Sequence, residues 1–515
     1  MYTFSSKLKT FSFILMAVGI LGIGYGFLTA PKNIEEVETL LAKEASEHGG
    51  GGHGEAVAAT HNEEAVAVGS HHEATTKPSH GEAQDAPEVS VKNDSVAANI
   101  DSVDKKAEVT HHVKSEGEHK AAVVNHEVKA EKHAEVSHEQ DHKAHVEHVF
   151  HQLQNKPWSA LYVACIFFLM LSMGVLAFYA IQQVAQAGWS PVLFRVMQGL
   201  TSYLPVGSVI FFILLILCGL HFNHIFVWLG EGVTNPQSPN YDAIIAGKSG
   251  YLNFPFWIIR AAIFLIGWNL YRFYSRKNCL AQDNANDDLF YKKNFNISAG
   301  FLVFFIVSES IMSWDWIMSF DPHWFSTLFG WYVFASFFVS GITAIALITV
   351  YLKSKGYLEF VNTSHIHDLA KFMFGISIFW TYLWFSQFML IWYANIPEEV
   401  TYYVTRIELY NLPFFGAVVM NFVFPLLILI NTDFKRISWV IVMAGIIILL
   451  GHYIDFFNMI MPSTVGDRWF IGVSEIASVL FFFGLFIFVV FSALTKAPLL
   501  AKRNPFIEES KHFHY

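Results

Sequence analysis

Residues 296–325 read NISAGFLVFFIVSESIMSWDWIMSFDPHWF. From 296 to 320 the run is apolar enough for a membrane helix, which needs about 20 such residues rising about 1.5 Å each. It nevertheless carries Glu309 and Asp315, with Asp321 just beyond. Its reading decides the fold, because nine further runs share its character: 11–29, 158–184, 203–229, 254–274, 327–353, 366–394, 410–430, 437–461 and 470–494. Lipid supplies no partner for an unpaired backbone group, so each run is expected to be helical. The chain is therefore read as an all-α integral membrane protein with ten transmembrane helices.

Composition supports this. Of 515 residues, 53% are hydrophobic, with 50 Phe and 14 Trp, which excludes a soluble domain of ordinary make-up. The net charge of −10 is unevenly spread: residues 31–156 hold 16 of the 24 His and more than half of the acids. Nothing suggests nucleic acid. The three cysteines, Cys165, Cys218 and Cys279, form no CxxC or CxxCH motif. The chain is thus expected to hold no iron–sulfur cluster, c-type haem or zinc ribbon of its own.

Basic residues alternate with the spans. One side carries Lys7, Lys9, Arg195, Arg272, Arg276, Lys277, Lys292, Lys293, Lys353, Lys355, Lys371, Lys435, Arg436, Lys496, Lys502, Arg503 and Lys511. The short loops of the other side carry Lys248, Arg406 and Arg468. Seventeen against three puts both termini in the cytoplasm by the positive-inside rule. The expected organisation is a first helix in 1–30, an external His-rich insertion in 31–156, a nine-helix membrane region in 157–495 and a cytoplasmic tail in 496–515. Lys7 and Lys9 before an apolar core, with LTAP behind it, also fit a secretory signal. The length of the core favours an uncleaved helix, and either reading leaves 31–156 outside.

The insertion is rich in Glu, Ala, His, Val and Lys and nearly free of aromatics. It cannot bury enough surface to offset the entropy of ordering, so a disordered loop is expected over 31–150. Near its end His138, His142, His145, His148 and His151 recur every three or four residues, the spacing of one helix face leading into the second span. Such a face suits weak metal binding or proton buffering, and equally suits low-complexity filler.

The polar residues within the spans carry the functional question. Asp321 precedes Pro322 and reads as a helix-end residue. Glu309 falls near mid-membrane and Asp315 in the outer half. Six residues turn a helix by about 600°, so these two acids face different neighbours. An ionisable group at a span centre costs about 2.5–3.5 kcal/mol on insertion scales and usually faces a bundle interior or water. Other spans add His221 and His224 (in LCGLHFNHIF), Arg260, His452 and Asp455 (sharing a face in GHYIDFFN), Asn458, Glu475, and Tyr382, Ser386 and Gln387. Arg260 has three candidate partners, Glu309, Asp315 and Glu475. His365, His367, Asp368 and Lys371 lie at the inner end of the seventh span. Of these, Glu309, Asp315, His452, Asp455, His221, His224, Glu475 and Arg260 are expected to form a hydrated proton path in the outer half, with His365, His367, Asp368 and Lys371 as its cytoplasmic mouth. On depth alone, His221 or His224 opposite His452 would also suit b-type haem.

Three stretches carry a resemblance: SESIMSWDWIMSFDPHWFSTLFGWYVFASFFVSGI, SHIHDLAKFMFGISIFWTYLWFSQFMLIWYANIPEE and LYNLPFFGAVVMNFVFPLLILIN. They resemble the membrane subunits of alternative complex III, a bacterial quinol:cytochrome c or quinol:oxidase oxidoreductase, within the polysulfide-reductase-C/NrfD-like family. The resemblance covers about 157–495. It implies that spans two to five and six to nine form two related four-helix bundles, with two extra helices. It also implies partners: an iron–sulfur subunit, multi-haem and mono-haem cytochrome c subunits, a second NrfD-like membrane subunit and, in some assemblies, a terminal oxidase. Iron–sulfur clusters and c-type haem would then sit in those partners. The GIGHAGT-type sequence expected in the third span of the quinol-binding member is not found, and CGLHFNHIF stands there instead. The chain is accordingly more similar to the ActF-like branch, for which the family implies a proton path. Two alternatives stay open: a menaquinol site in this chain at His221, His224 and Arg260, and a secondary transporter, although no matched pair of Gly/Pro-broken helices stands out.

Overall fold

The computed structural model describes residues 2–48 and 119–514. Two compact units divide the chain: Met1–Leu40 with Lys143–Tyr515, and Leu41–His142. In the second unit the described residues are helical. Most of the expected disordered loop lies outside the described residues; where it is described, helix replaces the expected disorder, at Ile34–His48 and in the first part of His119–Val184.

Among the described residues ten helical spans are long and apolar enough to cross a membrane. In chain order the helices are α1 (Ser6–Thr29), α2 (Ile34–His48), α3 (His119–Val184), α4 (Phe194–Leu200), α5 (Tyr203–Gly219), α6 (Ala243–Lys248), α7 (Phe254–Gln282) and α8 (Leu289–Trp316). They continue with α9 (Phe329–Ser354), α10 (Thr363–Ala394), α11 (Pro397–Glu408), α12 (Asn411–Val418), α13 (Phe424–Leu429), α14 (Ser438–Val465), α15 (Val473–Leu494) and α16 (Ile507–Lys511). Helix α3 packs on α5 and α8 through Tyr162, whose hydroxyl donates to the Trp316 carbonyl at 2.8 Å and whose ring meets Phe211. Helix α7 packs on α5 and α8. Helix α9 packs on α10 and α14, and α14 on α12 and α13. The two sets that the resemblance implies, spans two to five and six to nine, are called the first and second helix groups; Phe167 and Phe178 of α3 also pack on helices of the second. The groups meet where α8 packs on α9 and where α3 crosses α9.

That crossing leaves no room for side chains. A Cβ placed on Gly341 would fall 2.7 Å from the Val175 nitrogen, and one on Gly174 would fall 2.4 Å from the Phe337 carbonyl oxygen. The first span lies apart, seated on α15. Its buried residues are Ser12, Gly19 and Gly26, spaced by sevens into one narrow seam of small side chains.

Both chain ends lie at one face, here the terminal face. Thr3 Oγ1 meets the Tyr357 hydroxyl at 2.8 Å. The segment after α15, expected as a plain tail, folds back on this face: Ser510 Oγ donates to the Trp189 carbonyl at 2.7 Å. The opposite, distal face carries the loops around α6 and α11.

Two helix interruptions shape the interior. The third span runs Pro191–Gly219, ten residues short of the expected end at 229. Beyond Gly219 the chain turns through His221, which is left-handed at φ 59°. The side chain of Asn155 substitutes for lost helical partners, accepting from the His224 amide at 3.0 Å and donating to its carbonyl at 3.1 Å. In the eighth span, Val419–Val423 forms a π-turn just before Pro425. A proline crowds the carbonyl four residues back and gives it no donor, so the wider turn relieves the conflict at Asn421.

Candidate functional site

Pro462 lies inside α14 and withdraws the donor that the Asn458 carbonyl would have used. Arg406 of α11 fills the gap: its Nε donates to Asn458 O at 3.1 Å and its Nη1 to Tyr402 O at 2.8 Å. Its guanidinium lies 3.3 Å from the Tyr402 ring centre, and Tyr402 stacks on Trp324. Arg406 is buried, and among the described residues no carboxylate forms an ion pair with it. Burial pushes the Tyr403 phenol on the same helix well above its ordinary range.

About one turn deeper along α14 sits Asp455, 2% exposed. Its Oδ2 accepts from Ser336 Oγ at 2.8 Å and from Trp380 Nε1 at 2.9 Å, and its Oδ1 accepts from the Tyr332 hydroxyl. Tyr332 and Ser336 are one turn apart on α9, and Trp380 comes from α10, so three helices converge on one carboxylate. Three donors and no acceptor suit an ionised carboxylate, which only accepts. No lysine or arginine pairs with it among the described residues.

His452 precedes Asp455 by three residues and is fully buried, with Nδ1 3.0 Å from Ser336 Oγ and 3.8 Å from Asp455 Oδ2. The Ser336 hydroxyl has one proton. If it donates to Asp455, its oxygen must receive a proton from His452 Nδ1–H. A chain of hydrogen bonds then runs from His452 through Ser336 and Asp455 to Tyr332. His452 Nε2 is buried without a partner, as are both polar atoms of Asn421. Asn421 packs against Gly451, next to His452.

At the other end of this chain Tyr332 lines a cavity of about 10 Å³ with Gln387, Tyr402, Arg406 and Asn458. That is the room one water needs. Gln387 Nε2, a donor, and Asn458 Oδ1, an acceptor, are both buried there without partners.

The remaining sequence candidates do not join this cluster. Arg260 selects Asp315 from its three possible acids: Nε–Oδ2 is 2.6 Å and Nη2–Oδ1 is 2.9 Å, with both side chains buried. Glu309 is buried and meets serines of its own helix, Ser310 at 3.4 Å and Ser313, leaving Oε1 without a hydrogen bond. Glu475 caps α15, accepting from the Gly472 amide at 2.8 Å. His221 and His224 lie beyond the end of α5 and are exposed, whereas His452 is inside a helix, so the three do not share a depth. Arg260 does not line the cavity that holds His221 and His224. His365 is a helix-capping residue, with Nδ1 against Asn362 Oδ1 at 2.9 Å and Nε2 against the Ser510 carbonyl at 2.9 Å. Asp368 pairs with Lys371 at 2.6 Å, beside His367.

Sequence reasoning missed Tyr332, Ser336, Trp380 and Asn421 as site residues. The signal for the first two was present: Tyr332, Ser336, Ser340 and Thr343 make a polar stripe at helical spacing in an otherwise apolar span. Tyr382 is exposed and takes no part, while Gln387 of the same helix faces the cavity. No protein-family model matches the chain, and no curated protein matches it.

Proposed function

We propose that this chain is an integral-membrane subunit of a quinol:cytochrome c or quinol:oxidase oxidoreductase in a bacterial inner membrane, and that its second helix group relays protons through Asp455. The observation that carries the relay is a buried carboxylate held without any cation. Its neighbours are a phenol, a serine hydroxyl and an indole, and its hydrogen-bond chain ends on an imidazole with a free nitrogen. Two of those neighbours, Tyr332 and Ser336, have hydroxyls that can turn to accept a proton as readily as they donate one. Intramembrane protonatable groups of this kind mark proton routes and polar substrate sites.

The assignment to an electron-transfer complex rests on the three stretches that resemble alternative complex III subunits. Tyr332 and Ser336 lie in the first, Trp380 in the second and Asn421 in the third. The excess of Lys and Arg in the terminal-face loops supports a cytoplasmic placement of both ends. With both ends cytoplasmic, Asp455, ten residues or about 15 Å from the distal end of α14, would lie on the outer side of that helix's midpoint. The partners would supply clusters and c-type haem, and menaquinol is the candidate reductant.

The test is Asp455→Asn in the intact complex, reconstituted into vesicles. Quinol-driven proton release is expected to fall at least tenfold while the complex still assembles. Wild-type proton release from the variant would reject the relay. Purification of the chain without any iron–sulfur or haem protein would reject the complex.

A further inference from the structure

A second cavity, of about 730 Å³, opens at the distal face and is independent of Asp455. Helix α3 supplies His148, His151 and Asn155, at the i, i+3, i+7 spacing of one helix face. The loop after α5 supplies His221 and His224. Asn155 holds the His224 backbone by both its amide and its carbonyl, at 3.0 and 3.1 Å. The His224 ring is thereby set against His151, with ring centres 5.1 Å apart and planes tilted by 49°. Nitrogen ligands about 2.0–2.1 Å from one tetrahedral ion put two imidazole centres roughly 5 Å apart. His151 Nδ1 is buried with no hydrogen-bond partner. A packed histidine pair without a ligand has no use for an unpaired ring nitrogen inside the protein.

We propose that His151 and His224 bind a Zn²⁺-class divalent cation, with His148 or His221 completing its coordination. Among the described residues no three ligand side chains already converge on one point, so the clamp is two-sided until an ion draws in a third. His148 and His221 line the same cavity, and so do the carboxylates of Glu231 and Asp242. Asp242 is engaged elsewhere, capping α6 and meeting His323 at 2.6 Å, which leaves imidazole as the main donor. Imidazole suits Zn²⁺, Cu²⁺ and Ni²⁺ and disfavours Mg²⁺ or Ca²⁺.

The experiment uses the full chain in lipid nanodiscs. Co²⁺ serves as the probe for its visible spectrum, followed by displacement with Zn²⁺. Wild-type protein is expected to hold one tight equivalent after dialysis and to show the intense d–d bands of a tetrahedral site. His151→Gln with His224→Gln is expected to lose that equivalent, with affinity lowered more than tenfold. His71→Gln with His72→Gln removes as many imidazoles elsewhere and is expected to keep it. Asn155→Ala is expected to weaken binding about 10–100-fold, the usual effect of losing a group that orients a ligand. Unchanged metal-free melting of the His151/His224 variant checks that it folds. Equal metal content in wild type and in that variant would overturn the proposal, as would a wild type that retains no metal.

Discussion

Asp315 and Asp455 are both carboxylates buried within the helix bundle, and the protein treats them differently. Asp315, in the first helix group, meets a bidentate guanidinium that lies over the rings of Tyr251 and Phe256, 4.0 and 4.2 Å from their centres. Asp455, in the second, meets hydroxyls and an indole. A fixed opposite charge holds a carboxylate in one state and one position. Neutral donors satisfy it without a fixed charge, and two of the three are hydroxyls, which can reverse direction. The first arrangement suits a structural clamp and the second a relay. Two acids of the same type in one membrane protein can therefore do unrelated work, and the partner decides which.

The comparison can be broken from either side. The largest effect is expected from Arg260→Leu, which strands Asp315 without its cation; loss of one member of a buried pair costs about 3–5 kcal/mol. Thermal unfolding in detergent should show it. Adding Asp315→Leu should recover most of that loss, since apolar replacement of a whole buried pair is often neutral. If the double variant is as unstable as the single one, the pair is more than a clamp. Asp455→Asn should show the opposite balance: a modest cost of about 1–3 kcal/mol, from an amide facing donors, alongside loss of proton release. Tyr332→Phe removes one of three donors and should cost about 1 kcal/mol while slowing proton transfer, read by stopped-flow pH-dye absorbance. The smallest effect is expected from Glu309→Gln. Its carboxylate reaches only its own helix, so proton release should stay at the wild-type rate. A fall there would mean that the relay extends into the first group.

Much of this architecture was legible in the sequence. Ten apolar runs gave ten spans, because hydrocarbon thickness fixes their length. The i, i+3 spacing of His452 and Asp455 placed them on one face, as found. Arg260 was seen to need a partner, yet the choice of Asp315 over Glu309 and Glu475 depends on helix rotation and tilt, which periodicity does not supply. The end of α5 was missed because FNHIFVWLG is as apolar as a continuing helix. The break depends on Asn155, 69 residues away, taking over the hydrogen bonds of His224. Trp380 gave no signal as a site residue, and the polar stripe that holds Tyr332 and Ser336 named no partner for them. Neutral side chains raise no alarm in a span, and their role appears only when two helices, α9 and α10, aim them at one acid on a third. His365 looked like a proton-path residue until its ring was found tied to Asn362 and to the returning C-terminal segment.

The meeting of Gly174 and Gly341 has a consequence for the molecule as a whole. The two helix groups touch there through main chain alone, so their spacing is set by peptide thickness, with no rotamer to absorb an error. A single added methyl at either site would act as a wedge at the pivot. Its displacement would be carried along two rigid rods to every residue hung from them, including the Tyr332 and Ser336 that face Asp455. The smallest alteration the genetic code permits there would detune, without touching it, a carboxylate whose donors Ser336 and Tyr332 lie about one and a half and two and a half turns from Gly341.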